Sequence, residues 1–198
     1  MLSQLRPQLA PFFESMARST TSVTTNPFVF TMLGLVTSLG ASVLIVKGMW
    51  LYAAFAIGLV GIFDVLDGAL ARVTGTVTTF GGFLDSVVDR FTEMFILTGL
   101  LLSGAVPATW CMLALFGSLM VSYTRARAES LLDDIPMGGI GQRAERLVVL
   151  AFGCGLSHWD IDYLVPFIMF LCALTGVTVA QRIMVMWRRC EKDSSREG

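Results

Sequence analysis

Apolar positions fall into six long runs separated by short polar interruptions. They extend roughly from Pro27 to Val46, Trp50 to Arg72, Phe80 to Ser103, Pro107 to Glu129, Arg143 to Leu156, and Tyr163 to Trp187. Most approach the ~20 residues that a helix needs to cross the hydrocarbon core of a bilayer. The fifth is shorter, and its ends are the least sharply marked. Connections such as Lys47-Gly48-Met49 and Gly104-Ala105-Val106 leave no room for a soluble domain. The pattern therefore predicts an all-α polytopic membrane protein with six transmembrane helices, forming one domain over residues 1–198. Asn26 followed by Pro27 offers a cap and a first-turn residue for the first crossing. Upstream, Leu2, Leu5, Leu9, Phe12, Phe13 and Met16 recur at roughly helical spacing among Gln4, Arg6, Gln8, Glu14 and Arg18. That alternation predicts an N-terminal amphipathic interfacial helix, kinked or shortened by Pro7 and Pro11. Residues 1–25 are read as this helix and a connector, 27–189 as the six-helix bundle, and 190–198 as a frayed polar tail.

Composition agrees with lipid as the solvent. Of the 198 residues 55% are hydrophobic and 15% charged, and the mean hydropathy is +0.71, more apolar surface than a soluble domain of this length can hide. A net charge of −1 points neither to nucleic acid nor to a strongly acidic partner. Its distribution is more informative. With the N-terminus in the cytoplasm, the outer loops near Lys47, Ala105 and Trp159 hold one basic residue, and the other thirteen of the 14 lie at cytoplasmic helix ends, loops or termini. The positive-inside rule then places both termini on the cytoplasmic side of the cell membrane. Cys111, Cys154, Cys172 and Cys190 lack CxxC spacing, which argues against zinc or a disulfide framework and for packing roles. No short apolar region precedes a small-residue cleavage site, so a cleaved signal peptide is not expected. His158, beside Trp159 near an outer loop, is read as interfacial rather than catalytic.

The exceptional feature is a set of carboxylates within apolar runs. At about 100° per residue, Asp64, Asp67, Gly68 and Ala71 share one arc of the second helix, and Gly81, Asp85 and Asp89 share one arc of the third. The short turn from Val73 to Thr79 makes these helices antiparallel neighbours, so four carboxylates converge near the cytoplasmic membrane edge. Insertion scales charge ~2.5 to 3.5 kcal/mol for each aspartate at a helix centre. Solvation or pairing with Arg72 and Arg90 reduces that cost, but two arginines do not neutralise four acids. Hard divalent cations supply the missing charge, because Mg²⁺ and Mn²⁺ favour carboxylate oxygen and share it with substrate phosphates. Gly68, Ala71, Gly81 and Gly82 leave room for a nucleotide or for a neighbouring backbone. Arg72 can meet phosphate or base, and Thr78 and Thr79 can donate to phosphate or cap the third helix.

Asp64-x-x-Asp67-Gly68-x-x-Ala71-Arg72, then eight residues, then Gly81-x-x-x-Asp85-x-x-x-Asp89 resembles the complete signature of the CDP-alcohol phosphatidyltransferase family. The six-helix layout and N-terminal interfacial helix extend the resemblance over nearly the whole chain. Such enzymes transfer a phosphatidyl or archaetidyl group from CDP-diacylglycerol or CDP-archaeol to a polar alcohol, release CMP, and are typically homodimers. The resemblance implies that Asp64, Asp67 and Asp85 bind metal, two ions being expected, with Asp89 beside the metal and acting as general base. It also implies that Gly68, Ala71, Arg72 and Thr78 line the CDP-lipid site. One departure is Asn26-Pro27-Phe28, where many relatives read Thr-Pro-Asn; a substrate contact by that asparagine has no equivalent here.

The segments Tyr123-x-Arg125-Ala126-Arg127-Ala128-Glu129 and Arg143-x-Glu145-Arg146-Leu147 are similar to those of the prokaryotic inositol-phosphate-using members of that family. In that subgroup the counterparts of Arg125, Arg143 and Arg182 form an anion pocket for the phosphate of inositol 1-phosphate. Several arginines suit a dianionic phosphate better than a neutral or zwitterionic acceptor, so inositol 1-phosphate ranks ahead of glycerol 3-phosphate. Arg188 and Arg189 are read as positive-inside anchors. Glu129 and Glu145 either orient these arginines or form simple ion pairs. A cation transporter or channel, with the acidic stripes as its ion path, is the alternative of a different class. A silent scaffold leaves the cost of the carboxylates unexplained.

Overall fold

The computed structural model describes residues 13–19, 21, 24–132 and 138–197, with side chains to residue 191. Every regular element among them is helical. After a short helix over residues 13–19 (α1) come α2 (Phe28–Val46), α3 (Trp50–Thr74), α4 (Thr79–Ser103), α5 (Ala108–Glu129) and α6 (Arg143–Leu156). A 3-10 turn, Ile161–Tyr163, leads into α7 (Leu164–Glu197). Five of the six sequence-derived runs end within about two residues of these helices. The exception is the last, which continues through the expected frayed tail to Glu197. No glycine or proline interrupts residues 188–197, so nothing in that polar stretch breaks the backbone ladder.

Local chemistry sets the boundaries. Asn26 Oδ1 accepts from the Phe28 amide at 3.1 Å, as expected of a residue capping α2. α3 stops at Gly75, whose φ of 67° lies in the left-handed region that glycine enters freely. Three residues later Thr78 accepts from the Gly81 amide at 3.0 Å and starts α4. This hydroxyl therefore serves as a cap in the structure.

Two apolar clusters organise the bundle. The larger joins α2 to α7 through Ile45, Ile57, Ile96, Leu97, Leu100, Leu150, Ile168 and Leu171. The smaller gathers Ala17, Phe30, Leu66, Ala69 and Leu70, with Phe13 and Met16 packed against it, and so seats α1 on α2 and α3. Residues 1–12, which carry the rest of the expected interfacial helix, lie outside the described residues. α2 packs along both α3 and α4, whereas α3 and α4 do not pack closely along each other. The expectation of directly adjacent antiparallel neighbours is corrected to this extent: α2 is the common support, and the acidic stripes meet across a cleft. Gly99 explains the intimacy of α2 and α4, since a Cβ there would sit 2.8 Å from Ser42 Cα. By contrast, Gly82 has open space beside it and Gly81 meets only its own Thr78 hydroxyl, so neither admits a neighbouring backbone.

Large apolar side chains such as Tyr52, Phe55, Leu102, Phe116, Phe152 and Phe170 remain exposed on the outer faces. Such a surface fits lipid contact and not water. Among the described residues, three helical segments are long and apolar enough to cross a membrane: Phe28–Val46, Trp50–Thr74 and Ile161–Glu191. The other three fall short for identifiable reasons. α4 carries Asp85, Asp89, Arg90 and Glu93, α5 ends in Arg125, Arg127 and Glu129, and the 14 residues of α6 extend only about 21 Å. Of the cysteines, Cys111 and Cys154 are buried and Cys172 partly so, as packing residues should be. Cys190 is exposed on α7 and does not share that role.

Candidate active site

Two helices deliver the carboxylates and a third delivers counter-charge. Asp64 and Asp67 lie on adjacent turns of α3, while Asp85 and Asp89 are one turn apart on α4. Carboxylate oxygens of Asp64, Asp67 and Asp85 all lie within 4.8 Å of one another. Asp67 is 7% exposed and accepts a 2.9 Å hydrogen bond from Thr31 Oγ1 of α2. Asp89 lines the same cleft, together with Thr31, Val88, Thr92 and Arg143. From the first residue of α6, Arg143 donates through Nη1 to Asp64 and lies 2.6 Å from Asp89 Oδ1. Its Nη2 donates to Thr92 at 3.2 Å, and its buried Nε has no partner.

The sequence reading set Arg72 and Arg90 against the aspartates. In the structure Arg90 lies 3.7 Å from Asp89 while donating to the Ser86 carbonyl. Arg72 instead folds back along α3, its Nη1 about 3.3 Å from where a Cβ on Gly68 would stand, and lines a separate recess with Glu14, Arg18 and Val73. Gly68 thus makes room for Arg72, and Ala71 is partly buried beside it. Arg143 is therefore the cation shared by two of the four acids. Arg143 and the more distant Arg90 do not balance four carboxylates, and oxygens of three of the acids stand close enough to share an ion. This all-oxygen donor set suits a hard divalent cation.

The three arginines grouped by the sequence have different partners in the structure. Arg125 is half exposed and pairs with Glu129 at 2.8 Å. Arg182 is 4% exposed and donates from Nε to Gly138 O at 3.1 Å and from Nη1 to Val121 O. Arg143 alone reaches the carboxylates. Arg125, Arg146 and Glu129 nonetheless lie near enough to Arg182 to act on its charge.

Sequence reasoning missed Thr31, Thr92 and Glu93. Glu93 lies one turn beyond Asp89 and Arg146 one turn beyond Arg143, and these two form a buried pair: Nε to Oε1 at 2.5 Å and Nη2 to Oε2 at 2.8 Å. The i, i+4 continuation of the acidic stripe was the available signal for Glu93. Thr31 lies 36 residues from the aspartate it serves, and nothing local marks it.

Comparison with known proteins agrees with this geometry. The family model described as CDP-alcohol phosphatidyltransferase matches residues 24–188. The chain is similar to the archaetidylinositol phosphate synthase of Pyrococcus horikoshii, 34% identical over 96% of this chain and 99% of that one. It is also similar to the enzyme of the same name from Methanothermobacter thermautotrophicus, 35% identical over 96% and 95%. Among solved structures, it resembles phosphatidylinositol phosphate synthase of Mycobacterium tuberculosis with CDP-DAG bound, at a TM-score of 0.77 and 30% identity over 88% of this chain and 93% of that one. The same enzyme in complex with manganese and citrate gives 0.76 and 29%, covering 88% of each chain. With the aspartate signature placed around one cleft and the match running through all six long helices, the chain belongs to the CDP-alcohol phosphatidyltransferase family, a family of metal-dependent membrane enzymes.

Proposed function

We propose that this protein transfers a phosphatidyl or archaetidyl group from a CDP-lipid to inositol 1-phosphate, releasing CMP. The observation carrying the reading is the convergence of Asp64, Asp67 and Asp85, with Asp89 and Arg143 on the same cleft. Near-full-length similarity to enzymes named archaetidylinositol phosphate synthase supports the acceptor. Two Mg²⁺ or Mn²⁺ ions held by Asp64, Asp67, Asp85 and Asp89 would offset the charge of the CDP pyrophosphate. Gly68, Ala71, Arg72 and Thr78 flank the nucleotide. Asp89 takes the proton of the acceptor hydroxyl, and that oxygen forms a bond to the lipid-side phosphorus as the bond to CMP breaks. Arg125, Arg143 and Arg182 attract the acceptor's phosphate, with Arg143 close to the base.

In this reading residues 1–198 form one domain. All six long helices serve as crossings, with α4, α5 and α6 tolerated through neighbours that cover their charged faces or shortness. The N-terminal segment lies along the interface, both termini and the cleft face the cytoplasm, and two copies assemble as a homodimer.

Purified protein with CDP-diacylglycerol or CDP-archaeol, Mg²⁺ or Mn²⁺, and in separate arms inositol 1-phosphate, glycerol 3-phosphate, inositol or serine provides the test. CMP is expected to form fastest with inositol 1-phosphate. A preference for glycerol 3-phosphate would replace the acceptor assignment. CMP formation with none of the four would remove it.

A further inference from the structure

Two ion pairs connect α4 to α6, one helical turn apart: Asp89 with Arg143, and Glu93 with Arg146. The first faces the cleft. The second is sealed, with Glu93 4% and Arg146 2% exposed. Both carboxylate oxygens of Glu93 accept from the Arg146 fork, and Arg146 Nη1 donates to Gly141 O at 2.9 Å. With these nitrogens committed, the pair has little capacity left for a substrate.

Stability is a weak reason for such a pair. Removing two charges from solvent costs several kcal/mol per ion, and apolar replacements of similar volume are often neutral or stabilising. Setting a register is the better attested use of buried polar groups. Register is also what this site lacks from other sources. α4 packs on α2 and α5, and α6 packs on α3 and α7, so close backbone contact does not fix α4 against α6. Long side chains bridge the gap. Arg146 is held by α4 at one end and by the turn before α6 at the other, while the Gly141 amide donates to Thr178 of α7 at 2.8 Å.

We propose that the Glu93–Arg146 pair is a positioning device that fixes the register of α6 against α4 and thereby holds Arg143 on Asp64 and Asp89. Arg143 is one turn from Arg146 on the same helix, so a slide or rotation of α6 carries its guanidinium out of the cleft. In that place Arg143 opposes cation binding by its charge. Its consequence for the acceptor rests on the function proposed above; its consequence for metal binding does not.

The test compares wild type, Arg143→Gln, Arg146→Lys and the double variant Glu93→Leu/Arg146→Met. Mn²⁺ affinity is read by electron paramagnetic resonance on full-length protein without substrates, followed by KM values for both substrates. Arg143→Gln is expected to bind Mn²⁺ about tenfold more tightly, since a competing positive charge is gone. The double variant should fold, retain a Tm near that of wild type, and reproduce that tightening although Arg143 is present. Its KM for inositol 1-phosphate should rise about tenfold, with the KM for CDP-lipid changed less than about twofold. A folded double variant with wild-type Mn²⁺ affinity would overturn the proposal, as would wild-type affinity in Arg143→Gln. Should the double variant not fold, Arg146→Lys decides, because it keeps the charge and loses the fork. Tightened Mn²⁺ binding is expected for it, and unchanged binding would overturn the proposal. Absence of wild-type transfer to any phosphorylated acceptor would defeat the acceptor assignment while leaving the Mn²⁺ result decisive for positioning.

Discussion

Asp67 and Asp89 are chemically identical but sit in different surroundings. Asp67 is tied to α2 by Thr31, in keeping with a ligand held still. Asp89 lines the cleft and pairs with Arg143 across it, and the function proposed above gives it the acceptor's proton. Asp89→Asn should lower kcat by about 10² to 10⁴ while leaving CDP-lipid binding largely intact. Single-turnover CMP release and binding of labelled CDP-lipid measure the two separately; full activity would remove the base role. The arginines divide in a similar way. Arg182→Ala removes a 4% exposed guanidinium and its bonds to Gly138 O and Val121 O, a loss of about 1.5–3 kcal/mol for hydrogen bonds from a charged group, so Tm should fall along with acceptor use. Arg125→Ala, at a half-exposed site, should raise acceptor KM with Tm nearly unchanged. Thermal melts paired with acceptor titrations distinguish the cases. The four aspartates were legible because their helical spacing is itself the site. Thr31 was not, because only the packing of α2 on α3 brings it to Asp67.

At the scale of elements, helix ends were legible wherever the chain carries its own punctuation: Asn26 before α2, Gly75 after α3, Thr78 before α4. Lateral placement was not. The brevity of the turn between α3 and α4 suggested direct packing, but both helices lie on α2, where Gly99 allows α4 close to Ser42. The contact of Arg143 with Asp64 and Asp89 was not legible either, since nothing in sequence says that the start of α6 reaches across to α3 and α4. The turn before α6 depends on closeness as well. A Cβ on Gly141 would stand 2.8 Å from Thr178 Oγ1, 3.0 Å from Leu174 Cγ and 3.1 Å from its carbonyl oxygen. Gly141→Ala should therefore destabilise by about 1–3 kcal/mol, the usual penalty for overpacking, and misplace Arg143. Calorimetry gives the first effect and acceptor KM the second; a variant with wild-type Tm and KM would show that the turn has slack.

For the molecule as a whole, hydropathy made the membrane class plain but not the crossing of each helix. Length and composition alone identify three spans, because α4 carries its chemistry inside an apolar run and α6 is short. The broad apolar exterior, with Tyr52, Phe55, Phe116 and Phe170 facing outward, bears on how such an enzyme meets its donor. Protein and CDP-lipid share a two-dimensional phase, so encounters depend on the donor's share of the surface rather than on its amount per litre. In mixed micelles, adding inert detergent at fixed total CDP-lipid should slow CMP release in proportion to the falling mole fraction. Dilution of whole micelles with buffer, at constant mole fraction and saturating acceptor and metal, should leave turnover per enzyme unchanged. An exterior that binds the bilayer thus also sets the unit in which the donor's concentration is counted.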